Sequence, residues 1–277
     1  MTAVGRFLLG LLVGLVVLAG PWADTAQAQW KKLPWHLVDH YYRMPEIADF
    51  RTLSIDLDLQ GHVEPGQFVY IAALNGKISG DLFYFGFQSD LWNTNQRKSA
   101  GKGIIFSRWG KADKADARPT APGWAESLTD SQSGEGDFAS IRLPFDWQQG
   151  RYSFRVETRS AAPRTGLWAD LAVIDKDRNR RIDVGSLRFP ATPPVGFDPL
   201  PASFVEIYGK LPRSATDPQV RIAPDFTVRF APPLVNGAIL PIGNDFHQSR
   251  RVPPLARLTR GADFGASVVV GGTVAAQ

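Results

Sequence analysis

The clearest pattern in this chain is an alternation of apolar and polar residues with a period of two. In residues 52–59, leucine or isoleucine occupies every odd position and polar residues occupy the even positions. Such alternation places the apolar side chains on one face of a β-strand, so this segment is predicted to be a strand with one buried face. The 26 glycines and 21 prolines interrupt the chain every few residues, which keeps the predicted elements short.

Further segments with strand character follow at similar spacing. They are 67–74, 82–87, 103–109, 138–143, 152–158, 168–174, 182–189, 204–208 and 226–230. Many short strands at this spacing predict an all-β domain, either a sandwich or a barrel. Two stacked antiparallel sheets are favoured, because the alternation implies one wet and one dry face for each sheet.

Several positions predict turns and irregular segments between these strands. Asn75 and Gly76 both tolerate positive φ and predict a tight hairpin turn. Gly86, inside an aromatic run, predicts a bulge or a close backbone approach. Residues 111–133 are predicted to be a long polar loop, and residues 190–201 a proline-rich connector.

The pattern divides the chain into five parts. The last part is rich in arginine and proline and then in small residues, so it is expected to be poorly ordered. The parts are a signal peptide (1–28), a lead-in segment (29–50), the β-sandwich domain (51–209), a small C-terminal β extension (210–247) and a disordered tail (248–277).

The N-terminal segment has the features of a cleavable secretory signal peptide. Arg6 supplies a positive charge, and residues 7–19 contain no charged or polar side chain. This apolar run is too short to span a bilayer as a helix, and Ala26 and Ala28 are small residues of the kind signal peptidase requires. The sequence therefore predicts cleavage after Ala28 and a periplasmic or secreted protein, with an uncleaved anchor as the less favoured alternative.

Composition narrows the function further. The chain contains no cysteine, which excludes a lipid-modified cysteine, disulfides, thiol catalysis and cysteine-ligated zinc. Its apolar fraction of 44% suffices for a core without disulfides, as in bacterial envelope proteins. The formal net charge of +4 is spread without a long basic run, so no nucleic-acid partner is predicted, nor any transmembrane segment after cleavage.

A series of motifs occurs in a recognisable order. The segments are 82–88 (LFYFGFQ), 103–109 (GIIFSRW), 134–136 (GEG), 145–152 (FDWQQGRY) and 203–206 (SFVE). Over about residues 61–209 the chain resembles the secreted domain-of-unknown-function family 3472, although glycine follows Trp109 where the family commonly has aspartate. The resemblance implies a jelly-roll, concanavalin-like β-sandwich on exported, often polysaccharide-associated proteins, without an established activity.

Aromatic residues in polar loops are the candidate ligand-binding groups. Trp92 and Asn93 follow Gln88 in a polar stretch, and Trp124 lies in the predicted long loop. Sugars present apolar C–H faces that stack on indole rings, while amides and carboxylates bind their hydroxyl groups. Glu135, between two glycines, is the most constrained acidic candidate. For Trp92 and Trp124, plain surface exposure is an equally supported alternative, whereas Trp147 and Trp168 are expected to pack in the core.

A second motif carries oxygen ligands at alternate positions, as in the first half of a calcium loop. The residues are Asp175, Asp177, Asn179 and Asp183. A calcium loop requires glycine at its sixth position and glutamate at its twelfth, which are occupied here by Arg180 and Ser186. A hairpin turn with local side-chain hydrogen bonds is therefore favoured over a calcium site.

The sequence supports three functional hypotheses. The favoured one is an exported, non-catalytic domain that binds a carbohydrate or a cell-envelope polymer. The second is a glycoside hydrolase or polysaccharide lyase that uses loop carboxylates, because glycoside hydrolysis requires a carboxylate pair. Its candidates are Glu126, Asp130, Glu135 and Asp137. The third is a structural envelope protein whose strands or tail contact a protein partner.

Overall fold

Two antiparallel β-sheets pack face to face, which confirms the predicted all-β sandwich. The computed structural model describes residues 36–111, 113–129, 136–161, 166–249 and 255–275. The predicted signal peptide lies outside the described residues. Within the described residues, no helix is long and apolar enough to cross a membrane.

Sheet A contains eight described strands. From edge to edge these are β18 (Gly243–Gln248), β1 (Val38–Arg43), β14 (Ala202–Ile207), β3 (Val69–Ile78), β4 (Asp81–Gln88), β7 (Gly103–Trp109), β10 (Phe138–Pro144) and β9 (Trp124–Leu128).

Sheet B contains nine described strands. From edge to edge these are β19 (Ala256–Arg260), β20 (Ala266–Val270), β16 (Phe226–Phe230), β2 (Thr52–Gly61), β11 (Gly150–Ser160), β12 (Leu167–Asp175), β13 (Arg180–Phe189) and β8 (Ala117–Pro119), with β17 (Leu234–Val235) also pairing with β2.

Three small elements complete the described structure. They are the hairpin of β5 (Trp92–Asn93) and β6 (Lys98–Ser99), the pair of β15 (Val220–Ile222) and β21 (Thr273–Ala275), and one turn of 3-10 helix, η1 (Lys114–Asp116).

The main core lies between the two sheets. Phe85 of sheet A stacks on Phe154 of sheet B, with ring centroids 5.5 Å apart, and Phe87 contacts both Phe154 and Trp147. The odd-numbered leucines and isoleucine of β2 are buried in this core, as their alternation predicts. Trp147 is buried in this core, at 1% exposure. Trp168 is also buried, at 2% exposure, but it alternates with the core residues Leu167 and Ala169, so it lies on the other face of sheet B, where the guanidinium of Arg118 covers its ring.

The predicted hairpin turn at Asn75-Gly76 is wrong. Strand β3 continues to Ile78, and the turn occurs at Ser79 and Gly80, whose φ angles are +49° and +93°. Asn75 stays in the strand because its side-chain oxygen accepts a hydrogen bond from the backbone N–H of Ala202, 3.1 Å away. A tertiary contact from β14 thus overrides the local turn preference.

Gly86 lies at a close backbone approach. It pairs with Ala72, next to a register shift in β3. A Cβ at position 86 would lie 2.1 Å from the carbonyl oxygen of Ile71. Only glycine fits there without a shift of backbone, in agreement with the expectation from sequence.

The C-terminal part of the chain differs from the expectation of an extension and a disordered tail. Strand β16 pairs with β2 at the middle of sheet B, and β18 pairs with β1 in sheet A. The predicted tail contributes β19 and β20, and Val268 and Val270 are buried. These small apolar residues alternate with exposed ones, so they complete the sandwich.

The predicted long loop at residues 111–133 is also partly ordered as strands. Within it, β9 pairs with β10 at the edge of sheet A, and β8 pairs with β13 at the edge of sheet B. Its short strands escape sequence prediction because edge strands carry polar residues on their open side.

Candidate functional site

The outer face of sheet A, which points away from the core, carries a second apolar cluster. Because side chains alternate along β3, Ile71 and Ala73 enter the core while Tyr70 and Ala72 point outward. The cluster comprises Tyr70, Ala72, Leu91, Ile105 and Phe204, with Tyr84, Trp124 and Tyr208 packed against it. A sheet that is apolar on both faces needs a covering on its outer face as well. The segment that carries Leu91 and Trp92 provides part of that covering.

A cleft of about 340 Å³ opens on this outer face. Its walls combine aromatic rings with amide, carboxylate and guanidinium groups. The lining residues are His36, Tyr70, Asn75, Leu82, Tyr84, Gln88, Asp90, Trp92, Trp109, Arg142, Phe204, Glu206 and Tyr208. Its volume is at the lower end of the range typical for small-molecule sites.

The floor of the cleft is aromatic. The ring of Tyr70 contacts those of Tyr84 and Phe204, with centroid distances of 5.2 and 5.3 Å. Trp109 meets Tyr84 edge to face at 4.5 Å. Tilted and edge-to-face packing of this kind fixes the rings in place, so the floor is preformed.

Trp92 stands at the rim of the cleft on the β5–β6 hairpin. Its side chain is 50% exposed, which is unusual for so large an apolar group. The neighbouring Asn93 is buried, and its side-chain oxygen accepts a hydrogen bond from the backbone N–H of Gln96, 2.9 Å away. Asn93 therefore shapes the hairpin that presents Trp92, and it does not line the cleft.

Glu126 fastens this hairpin to sheet A. One of its carboxylate oxygens accepts hydrogen bonds from the backbone N–H of Thr94 at 2.9 Å and from the indole N–H of Trp124 at 3.0 Å. The other oxygen lies 2.9 Å from Nε of Arg142. Glu126 is buried, so this ion pair is shielded from solvent and holds the rim against the sheet.

Asp90 organises the segment that leads from β4 to the β5–β6 hairpin at the cleft. Its carboxylate accepts hydrogen bonds from the backbone N–H groups of Gly66 and Phe68 and from the hydroxyl of Ser89. The hydroxyl of Tyr208 donates to the backbone carbonyl of Asp90, at 2.9 Å. Burial raises the pKa of Tyr208 above its ordinary value, and the nearby Asp90 carboxylate adds to the shift. The phenol therefore stays neutral.

A carboxylate orients an imidazole at the cleft wall. Nδ1 of His36 contacts one oxygen of Asp39, and Nδ1 of His247 lies 3.5 Å from the other. The ring of His36 stacks on Phe204 at 3.8 Å, with an interplanar angle of 13°. Asp39 is 6% exposed, so the arrangement is held by a buried acceptor and an aromatic surface.

The hydroxyl of Tyr70 is buried and has no hydrogen-bond partner among the residues that the structure describes. The residue is 2% exposed, and it pairs across the sheet with Glu206 on one side and Gln88 on the other. Burial raises the pKa of Tyr70 well above its ordinary value, and the nearby Tyr84 and Glu206 raise it further. An unsatisfied buried hydroxyl is destabilising, so its presence in a cleft points to a ligand.

The sequence-predicted ligand residues are only partly brought together. Trp92 and Gln88 line the cleft, and Trp124 packs against the same outer face beside it. Asn93 lies in the hairpin, and Glu135 falls outside the described residues. Gln88 is 8% exposed, so most of its side chain is covered.

Most of the cleft escaped prediction because its residues lie on predicted strands. The sequence predicts that the apolar residues of these strands face the core. The outward positions are nevertheless occupied by the aromatic residues Tyr70, Tyr84 and Trp109. Aromatic residues on both faces of 82–87 were the available signal, since a strand with one wet face has aromatics at alternate positions only. His36 offered no signal beyond its nearness to Asp39.

The four residues of the predicted calcium motif lie at the hairpin between β12 and β13. Residues 176–179 form the turn, and Asn179 adopts a φ of +47°. The backbone N–H of Arg178 donates to Asp175, 3.1 Å away, and closes the turn locally. Asp183 follows on β13 and pairs with Arg181.

Guanidinium groups form hydrogen bonds with the carboxylate oxygens that would otherwise be calcium ligands. Arg178 donates to the second oxygen of Asp175, and Arg151 donates to Asp177 through both its backbone and its side chain. These hydrogen bonds lower the pKa of Asp177 below its ordinary value. The contacts do not fit a calcium site, and no metal-binding group of three or more His, Asp or Glu side chains occurs in the described part of the chain.

No protein-family model matches the chain, and no curated protein matches it either.

Proposed function

We propose that this protein is exported and binds a glycan of the cell envelope or its surroundings in the cleft on the outer face of sheet A, without chemistry of its own. The observation that carries the proposal is the half-exposed indole of Trp92 at the rim of a cleft whose aromatic floor is interspersed with amides and carboxylates. The motif resemblance to a family of exported, often polysaccharide-associated proteins supports the same ligand class.

The chemistry of the cleft suits a sugar ring. Aromatic faces accept the apolar C–H side of a pyranose, and polar groups at their edges bind its hydroxyls. Here Trp92 and Trp109 supply indole surfaces, and Asn75, Gln88 and Glu206 supply polar groups. A sugar can form hydrogen bonds with these polar groups, which a purely apolar ligand cannot do.

Affinity electrophoresis and a glycan array with the mature protein test the proposal. Trp92→Ala is expected to weaken binding about tenfold, because a large exposed indole that a ligand covers contributes strongly to affinity. Trp124→Ala is expected to weaken it less, since that indole supports the rim through Glu126. Phe264→Ala is the matched control, because Phe264 is exposed on the opposite sheet, in the turn between β19 and β20.

Two results would overturn the proposal. One is the absence of binding to every polysaccharide on the array. The other is binding that Trp92→Ala and Phe264→Ala reduce equally.

The His36–Asp39 contact favours a second candidate, an enzyme acting on the same glycan. A carboxylate that orients an imidazole is how proteins build a general base. The contact uses Nδ1, so Nε2 is the nitrogen that a ligand or an attacking water would meet. In hydrolysis, water would add across a glycosidic bond and produce one new reducing end per cleavage.

Reducing-end release from each bound polysaccharide distinguishes the two candidates. Release that His36→Ala abolishes, with binding retained, would establish the enzyme. Binding without any release leaves the non-catalytic function in place.

Export rests on the N-terminal segment and has its own test. N-terminal sequencing of the protein recovered from the periplasm or medium is expected to begin at Gln29. A mature protein that still begins near Met1 would contradict cleavage.

A further inference from the structure

The charged groups around the cleft are mainly negative. Among the described lining residues, Asp90 and Glu206 supply carboxylates and Arg142 alone supplies a guanidinium. Arg142 already pairs with the buried Glu126 at 2.9 Å. Asp39 places a further carboxylate at the wall, behind His36. Carboxylates thus outnumber guanidinium groups among the described lining residues, although the formal net charge of the whole chain is +4.

The carboxylate of Asp90 is satisfied by neutral donors. Its partners in the described structure are two backbone N–H groups and the hydroxyls of Ser89 and Ser99. Such donors stabilise the negative charge without cancelling its field. A second carboxylate brought by a ligand would therefore meet uncompensated charge of the same sign.

The unpartnered hydroxyl of Tyr70 is the second, independent observation. It is buried at the floor of the cleft, between the strand neighbours Glu206 and Gln88. A neutral phenol can donate one hydrogen bond and accept another. A sugar hydroxyl offers both roles, so it can act as the missing partner.

We infer that the cleft takes glycans whose sugars are uncharged or carry an amino group, that it discriminates against uronates, and that a ligand hydroxyl completes the hydrogen bonding of Tyr70. This inference rests on the proposed glycan-binding function. The polar groups beside the aromatic floor select the ligand by charge, while the indoles of Trp92 and Trp109 bind any pyranose.

Matched oligosaccharides that differ only at C6 test the charge selection. The probes are cellohexaose against its C6-oxidised glucuronate counterpart, and mannohexaose against the mannuronate hexamer, measured by calorimetry with the mature protein. In each pair for which binding is detected, the neutral oligosaccharide is expected to bind at least about fivefold more tightly than its uronate counterpart. The reason is that like charges repel in a partly desolvated site. Higher salt is expected to narrow the difference.

Glu206→Gln is expected to lower the ratio of neutral to uronate affinity by about threefold or more, because the uronate then binds more tightly. Glu157→Gln is the matched control, since it removes an exposed carboxylate from sheet B and is expected to leave the ratio unchanged. A uronate that binds as well as its neutral counterpart would overturn the inference and leave glycan binding standing. If neither pair binds and the array is also blank, both the inference and the proposed function fail.

Tyr70→Phe separates a ligand contact from a structural role. Removing a hydroxyl that has no partner is expected to leave the melting temperature unchanged or raised. Affinity for the neutral probe is expected to fall about fivefold, the loss of one hydrogen bond. Unchanged affinity would overturn the role of Tyr70, and a lowered melting temperature would show that its hydroxyl is satisfied within the protein.

Discussion

Asp116 is buried between two arginines where η1 meets the edge of the sandwich. One carboxylate oxygen accepts a hydrogen bond from Arg108 at 3.1 Å, and the other accepts one from Arg188 at 2.7 Å. Burial lowers the pKa of Arg108, and the Asp116 carboxylate opposes that shift. The aspartate thus makes it possible to bury a guanidinium that would otherwise be strongly destabilising.

Replacing Asp116 by alanine is expected to lower the free energy of unfolding by about 3 kcal/mol or more, because it leaves a buried guanidinium without its counter-charge. Urea unfolding measures the effect. Asp183→Ala is the control, since Asp183 forms an exposed pair with Arg181 and its loss is expected to change stability by less than about 1 kcal/mol. Equal effects of the two substitutions would contradict the importance of burial here.

His40 is fully buried in β1 and is expected to make stability depend on pH. Burial, reinforced by Arg260, lowers its pKa from 6.5 to about 4. Below pH 6.5 the unfolded chain binds a proton that the folded protein refuses until about pH 4. Stability is therefore complete above about pH 6.5 and falls as the pH decreases to 4, by as much as about 3 kcal/mol.

Thermal unfolding between pH 4 and 7 tests this expectation. His40→Gln is expected to flatten the profile in that window, whereas His62→Gln, at an exposed position, leaves it unchanged. A profile that rises as the pH falls would show that the sign is wrong.

At the scale of the element, the strands were predictable where their alternation reflects one buried face, as in β2. Turns were less predictable from the sequence, because the position of a turn depends on how the two flanking strands pair with each other and with their neighbours. Asn75 has the local preference for a turn, but the hydrogen bond from Ala202 keeps it in β3. Ser79 and Gly80 then make the reversal, a pair that is less distinctive in sequence.

Gly86→Ala is expected to destabilise the β3–β4 pairing by about 2 kcal/mol or more, because the new Cβ would lie 2.1 Å from the carbonyl oxygen of Ile71. Gly196→Ala is the control, since its Cβ would lie 3.5 Å from the nearest atom, which is ordinary contact. Guanidinium unfolding measures both variants. Equal stability of the two would mean that β3 can move away from position 86.

For the whole molecule, the C-terminal strands are the main departure from expectation. A chain ending at Gln248 loses the buried side chains of Leu255, Ala256, Val268 and Val270. The burial of these side chains contributes several kcal/mol to the free energy of unfolding, which is comparable with the total stability of a domain. The shortened chain is therefore expected to be unfolded or insoluble. A chain ending at Ala275 is the control and is expected to fold. Circular dichroism and melting curves distinguish the two, and a soluble, unchanged shorter form would restore the original expectation.

The sequence by itself determined the all-β sandwich, because a period of two in apolar residues reports directly which side of a strand meets the core. It also indicated Trp92, a large ring in a polar segment where it has no packing role, and Gln88, an amide beside that segment. Only the tertiary structure decided the cleft, because its floor consists of outward-facing residues from β3, β4, β7 and β14, which are far apart along the chain. Strand order brings Tyr70, Trp109 and Glu206 together, and no local pattern encodes that order.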